Sequence, residues 1–154
     1  MALEILRKFC LVAGAAEADT RLTAFDRALL HAGIGNVNLL KVSSILPPHA
    51  KEENHPHITP GLLVPTAYGA ITSEHPGELI AAAVAVGIGD PGEYGVIMEF
   101  SGRVSREKAE DAVRGMVEEA FSYRERHLAR VLVRGVEYRV ERIGCALAAC
   151  VLWS

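Results

Sequence analysis

Ser43 and Ser44 stand side by side in Val37 to Leu46, a run that is otherwise β-branched or aliphatic with a few small polar members. Serine adds little packing to a strand, and a buried hydroxyl must find a partner. Read alone, both hydroxyls are satisfied by bonding neighbouring backbone, and the alternative is that one of them is there to react. Asn38 lies an even number of residues before Ser44, so a straight strand puts both on one face. Glu99 is the only ionisable group in Val96-Ile97-Met98-Glu99-Phe100. Apolar neighbours disfavour its charged form and push its pKa toward values useful for donating a proton, unless the side chain is exposed at a sheet edge. Asp26 is the fourth residue of Thr23-Ala24-Phe25-Asp26, which has the form of a helix capping box.

Other chemistries lack their marks. The one glycine-rich turn beside a helix, Gly33-Ile34-Gly35-Asn36, follows its helix and completes neither GxGxxG nor GxxxxGK. There is no GxSxG elbow and no HExxH. His49, His55 and His57 share a polar, proline-bearing loop, but their spacing matches no helical or strand ligand pair, so no metal is expected. With 16 Lys+Arg against 19 Asp+Glu the formal charge is -3, which supplies no field for nucleic acid. Cys10, Cys145 and Cys150 are odd in number, without CxxC spacing, and fit reduced thiols in a cytoplasmic protein. Arg7-Lys8 followed by Phe9 to Ala16 imitates a short signal peptide, but Glu4 sits in the basic region and the apolar stretch is minimal. The apolar run Ile143 to Trp153 is far shorter than the roughly 20 residues of a membrane-spanning helix and reads as a buried strand.

The length of 154 residues, 50% hydrophobic and 23% charged, suits one domain spanning 1–154. A first strand ends near Leu11 to Gly14. Phe25, Leu29 and Ala32 then recur on one helical face until Gly33 and Gly35 close the helix. The serine-bearing strand runs from Val37 to Leu46 and stops at Pro47-Pro48. After the 49–61 loop, Leu62 to Val64, Ala67 to Thr72, Leu79 to Ile88 and Tyr94 to Gly102 read as strands, the third covered on both faces. Ser105 caps a helix reaching about Arg126, with Ala109, Ala112, Val113, Met116, Val117, Ala120 and Phe121 as its core stripe. Val136, Tyr138 and Val140 alternate with charged residues in a half-exposed strand. The pattern predicts a strand-rich α+β fold.

The run Asn36 to Pro48 resembles the self-cleavage segment of the pyruvoyl-dependent arginine decarboxylase family. The likeness continues, in collinear order, through Thr23-Ala24-Phe25-Asp26, Gly33-Ile34-Gly35-Asn36-Val37-Asn38, Leu63-Val64-Pro65-Thr66-Ala67-Tyr68-Gly69, Pro76-Gly77-Glu78, Ile97-Met98-Glu99 and Gly144-Cys145-Ala146. It covers nearly the whole chain.

The resemblance implies that Ser44 attacks the carbonyl of Ser43, that the chain is cut into 1–43 and 44–154, and that Ser44 becomes a covalent pyruvoyl group. No metal or nucleotide is needed. Asn38 is then the donor to the oxyanion of the processing step. The pyruvoyl carbonyl forms a Schiff base with L-arginine and draws off electrons as carbon dioxide leaves, giving agmatine. Glu99 is the implied proton donor and Asp26 the carboxylate that takes the guanidinium fork. The implied fold is a four-layer αββα sandwich assembled as a homotrimer with sites between subunits. The same chemistry on histidine or lysine, or an uncleaved subunit that binds a ligand without turning it over, are the alternatives.

Overall fold

The computed structural model describes residues 5–154, so Glu4 lies outside the described residues. The elements follow in the order β1 (Lys8–Glu17), α1 (Arg21–His31), β2 (Asn38–Lys41), β3 (Ile45–Leu46), β4 (Lys51–Glu52), β5 (Leu63–Ser73), β6 (Leu79–Ile88), β7 (Gly95–Gly102), α2 (Arg106–Tyr123), β8 (Arg130–Arg139) and β9 (Gly144–Trp153). They form two sheets, β2-β5-β9-β1-β4 and β3-β7-β6-β8. The strand-rich α+β expectation holds.

The central strands are buried on both faces, which explains their composition. In β9 the even positions Ala146, Ala148, Cys150 and Leu152 join a core cluster that also takes Val84, Val86 and Ile97 from the other sheet. Its odd positions Cys145, Leu147, Ala149, Val151 and Trp153 pack with Ala24, Ala28 and Leu29 of α1. In β6, Ala81, Ala83 and Ala85 meet Ala109, Val113, Val117 and Phe121 of α2, bearing out the helix stripe. Small side chains let each helix approach its sheet closely. A Cβ on Gly14 would lie 2.5 Å from the Ala28 carbonyl oxygen of α1, so β1 needs glycine there. The segment that imitates a signal peptide is this core strand, paired with β9 from Lys8 to Glu17.

Several boundaries differ from expectation for physical reasons. The capping box is Thr20 with Thr23, each hydroxyl accepting from the other's backbone N–H at 3.1 Å, so α1 starts at Arg21 and Asp26 takes no part in a cap. The run Val37 to Leu46 is not one strand: it divides into β2 and β3, which belong to different sheets. Leu63, Val64 and Ala67 to Thr72, by contrast, belong to one continuous strand, β5, that passes through Pro65 and leaves Leu62 outside. Asn38 and Val42 donate to the carbonyls of Leu62 and Thr66, so the ladder to β2 uses even positions of β5. Pro65 therefore loses no bond there, and the β9 ladder begins only at Thr66. The polar loop is not wholly irregular, because β4 pairs with β1 inside it. Helix α2 ends at Tyr123 rather than Arg126, where Arg126 instead donates from Nε to Glu93 at 2.7 Å and lies 4.1 Å from the Tyr94 ring centroid. The half-exposed strand is also longer than the alternation showed, beginning at Arg130.

One carboxylate fastens the turn before β9. Burial alone would raise the pKa of Glu17, but the backbone N–H groups of Glu141, Arg142 and Ile143 donate to it and the Tyr138 hydroxyl adds a further bond, so the net shift is downward. A depressed carboxylate contributes stability above its ordinary value and loses it as pH falls through the folded pKa. Glu17→Gln is expected to lower stability at pH 7 by about 1 kcal/mol, because solvent screens this site. Denaturant melts of both proteins should show the gap narrowing below the ordinary carboxylate value of 4.5.

Candidate active site at the crossover between sheets

The two serines sit where the chain leaves one sheet for the other. Val42 N–H donates to the Thr66 carbonyl of β5 at 3.1 Å, and Ile97 N–H of β7 donates to the Ser44 carbonyl at 2.7 Å. The Ser43–Ser44 peptide is thus strung between anchors on opposite sheets. Ser43 is exposed and Ser44 half-buried. Among the described residues neither hydroxyl enters a side-chain hydrogen bond, so bonding to neighbouring backbone does not account for them.

Glu99 stands on β7 two positions beyond Ile97, opposite Val84 of β6. It points across the gap between sheets toward Gly69 of β5, where a Cβ would lie 3.4 Å from Glu99 Cγ. Any larger residue at position 69 would press on the carboxylate stem. Glu99 is half-buried rather than edge-exposed. Burial pushes its pKa up, and the ammonium of Lys41, at the end of β2, pulls it part of the way back.

Asp26 and Asn38 line a different hollow, a cavity of about 490 Å³ that also includes Phe25 and Tyr68. Released from any capping duty, Asp26 is exposed at its wall. The rings of Phe25 and Tyr68 lie 6.2 Å apart, and Lys41 Nζ rests 4.7 Å from the Tyr68 centroid. Asn38 Nδ2 donates to the Gly61 carbonyl at 3.0 Å. Because the strand stops at Lys41, even spacing no longer places Asn38 and Ser44 on a common face. Ser44 and Glu99 do not line the Asp26 cavity. The structure therefore brings Ser43, Ser44 and Glu99 together on one side and Asp26 with Asn38 on another, both within a single chain. Lys41, Tyr68 and Gly69 escaped the sequence reading as individual residues. An aromatic followed by glycine inside a strand was the available sign. Among the described residues no group of three or more His, Cys, Asp or Glu stands in metal-binding arrangement.

The model of the pyruvoyl-dependent arginine decarboxylase family matches residues 8–154. The chain belongs to that family. It is 51% identical over 144 residues to the pyruvoyl-dependent arginine decarboxylase of Methanocaldococcus jannaschii, covering 93% of this chain and 87% of that one. The enzyme of the same name from Pyrococcus horikoshii is 45% identical over 150 residues, 96% of this chain and 95% of its own. That of Methanococcus aeolicus is 47% identical over 144 residues, 93% and 87% respectively. The family match thus embraces the Ser43–Ser44 crossover, Glu99 and the Asp26 cavity.

A carboxyl kept partly out of water by its fold has a stability signature. Because the folded pKa of Glu99 is raised, its ionisation opposes folding as pH rises through that value. Glu99→Gln is expected to melt at a higher temperature than the parent at pH 8, with the difference shrinking toward pH 5. A parent that is the more stable at pH 8 would contradict this environment for Glu99.

Proposed function

We propose that this chain is a self-processing decarboxylase that converts L-arginine to agmatine and carbon dioxide with a pyruvoyl group made from Ser44. The observation that carries the reading is the Ser43–Ser44 peptide held between Thr66 of one sheet and Ile97 of the other. Ser44 Oγ attacks the Ser43 carbonyl carbon, and the peptide C–N bond breaks as the C–O bond forms. Ser44 Cα then gives up a proton while its Cβ–Oγ bond breaks, so that oxygen departs with Ser43 as a carboxylate. Water replaces the nitrogen, which leaves as ammonia. The donor for the oxyanion is Asn38, which within one chain bonds the neutral Gly61 carbonyl away from Ser44 and is brought to the serine from a neighbouring subunit, where a developing charge is a stronger acceptor.

The residues present suit the group. Ser44 has an unengaged hydroxyl beside a half-buried acid, and cutting after Ser43 leaves both new ends paired, β2 on β5 and β3 on β7. The 1–43 piece also keeps β1, paired with β9 through Lys8 to Glu17, so it stays in place. The pyruvoyl carbonyl, once made, supplies the electron sink for loss of carbon dioxide. Glu99, whose pKa burial pushes up, delivers the proton to the carbon left behind. Asp26 takes the guanidinium bidentately, with Phe25 and Tyr68 walling the substrate's stem.

The same reading places the site between subunits of a homotrimer. Support comes from the absence of Ser44 and Glu99 from the lining of the Asp26 cavity and from the exposed apolar side chain of Leu22 beside that cavity, 75% exposed. It also takes the three core clusters as the interfaces of a four-layer αββα sandwich. Cytoplasmic residence agrees with the three free, buried cysteines. Among the described residues no helix is long and apolar enough to cross a membrane.

Ser44→Ala is expected to remain a single chain and to release no labelled carbon dioxide from carboxyl-labelled arginine; activity in that variant would end the proposal. Glu99→Gln is expected to cleave as the parent does but to lose about 10²- to 10⁴-fold in kcat. Undiminished turnover would remove Glu99 from the proton-transfer step.

A further inference from the structure

Lys41 ends β2 as the last residue paired with β5 and stands two residues before the bond that the proposed processing breaks. Its side chain is exposed, lies against the Tyr68 face, and takes part in none of the ion pairs among the described residues. The residues that follow it, Val42, Ser43 and Ser44, carry no charge. Processing adds one. A peptide carbonyl becomes the carboxylate of Ser43, while the Ser44 nitrogen leaves without replacement by a charge. The local balance thus falls by one, at a point from which the antiparallel register of β3 on β7 leads back toward Glu99.

We infer that Lys41 is a positioning residue that pairs with the carboxylate left on Ser43 and so keeps that new charge from acting on Glu99. The inference rests on the processing proposed above. The geometry allows the pairing, because a lysine side chain spans the roughly 7 Å between alternate residues of an extended chain. The hold on Tyr68 is an exposed cation–π contact and is readily given up for a carboxylate. Without the pairing, a second carboxylate beside a half-buried acid favours the protonated form of both, raising the pKa at which Glu99 stops donating. The charged and titratable groups that act on Glu99 are Lys41 from β2 and the Cys150 thiol from β9. The thiol is itself pushed above its ordinary range by burial and is neutral throughout the working pH range. Lys41 is therefore the one counter-charge on this side.

The test compares the parent with Lys41→Met and Lys41→Arg by denaturing gel and by the pH profile of kcat for arginine decarboxylation. All three are expected to be cleaved, since the carboxylate that Lys41 is inferred to hold exists only after cleavage. The alkaline limb of kcat, where Glu99 loses its proton, is expected to move up by about half a pH unit or more in Lys41→Met and to return in Lys41→Arg. A limb unmoved in a cleaved Lys41→Met protein overturns this role and leaves the processing intact. Failure of Lys41→Met to cleave while the parent cleaves also overturns it, since Lys41 would then act before the carboxylate forms. An uncleaved parent removes the processing and this inference together.

Discussion

The peptide between Ser43 and Ser44 is held by two hydrogen bonds that belong to different sheets, and most of the remaining architecture can be understood as what keeps those anchors fixed. Thr66 is rigid because β5 lies between β2 and β9, and its own hydroxyl is buried and donates to the Val64 carbonyl at 2.9 Å. Ile97 is rigid because β7 pairs with β6, whose residues from Ile80 to Val86 are all fully buried. A crossover between such supports has little freedom to relax. Bringing a hydroxyl and a neighbouring carbonyl together in a constrained segment is how a fold converts an unreactive peptide into a reactive one, since orientation is settled before the reaction begins.

The composition of the core follows from the same requirement. Residues from both faces of β6 and β9 join buried core clusters, so these strands carry no charge and many small side chains. The three cysteines fit that pattern as small buried hydrophobes; burial pushes each thiol's pKa upward and keeps it unreactive. Glu99 is the exception, a carboxyl admitted to the gap between sheets because Gly69 leaves room for it. A carboxyl whose neutral form is favoured by burial is suited to donate a proton. Asp26 lies at the opposite extreme, exposed at the wall of its cavity, where a carboxylate can meet the guanidinium proposed above.

The strong periodicities were legible in the sequence. The α2 stripe, the two-faced β6 and the apolar β9 follow from the 3.6 and 2 repeats, and the collinear motifs carried the family. What periodicity could not show was where a strand changes sheet. Val37 to Leu46 reads as one strand because both halves are apolar and the break between β2 and β3 contains no glycine or proline. Thr20 and Thr23 outcompeted Thr23 and Asp26 as the capping box because a threonine hydroxyl closes the box as well as a carboxylate does, an option the acid-based motif overlooked. The separation of Asp26 from Glu99 is a property of three-dimensional placement that no spacing records. Lys41 and Tyr68 were hidden for a similar reason, since each is ordinary in its own strand and acquires meaning only across the edge of the sheet.

The central claim, that the taut Ser43–Ser44 peptide rearranges by itself, is tested most directly by the intact mass of freshly purified protein after reduction and denaturation. The account predicts two fragments, residues 1–43 and residues 44–154, the second without a free amine at its first position. A single uncut chain that persists for days under native conditions would contradict it.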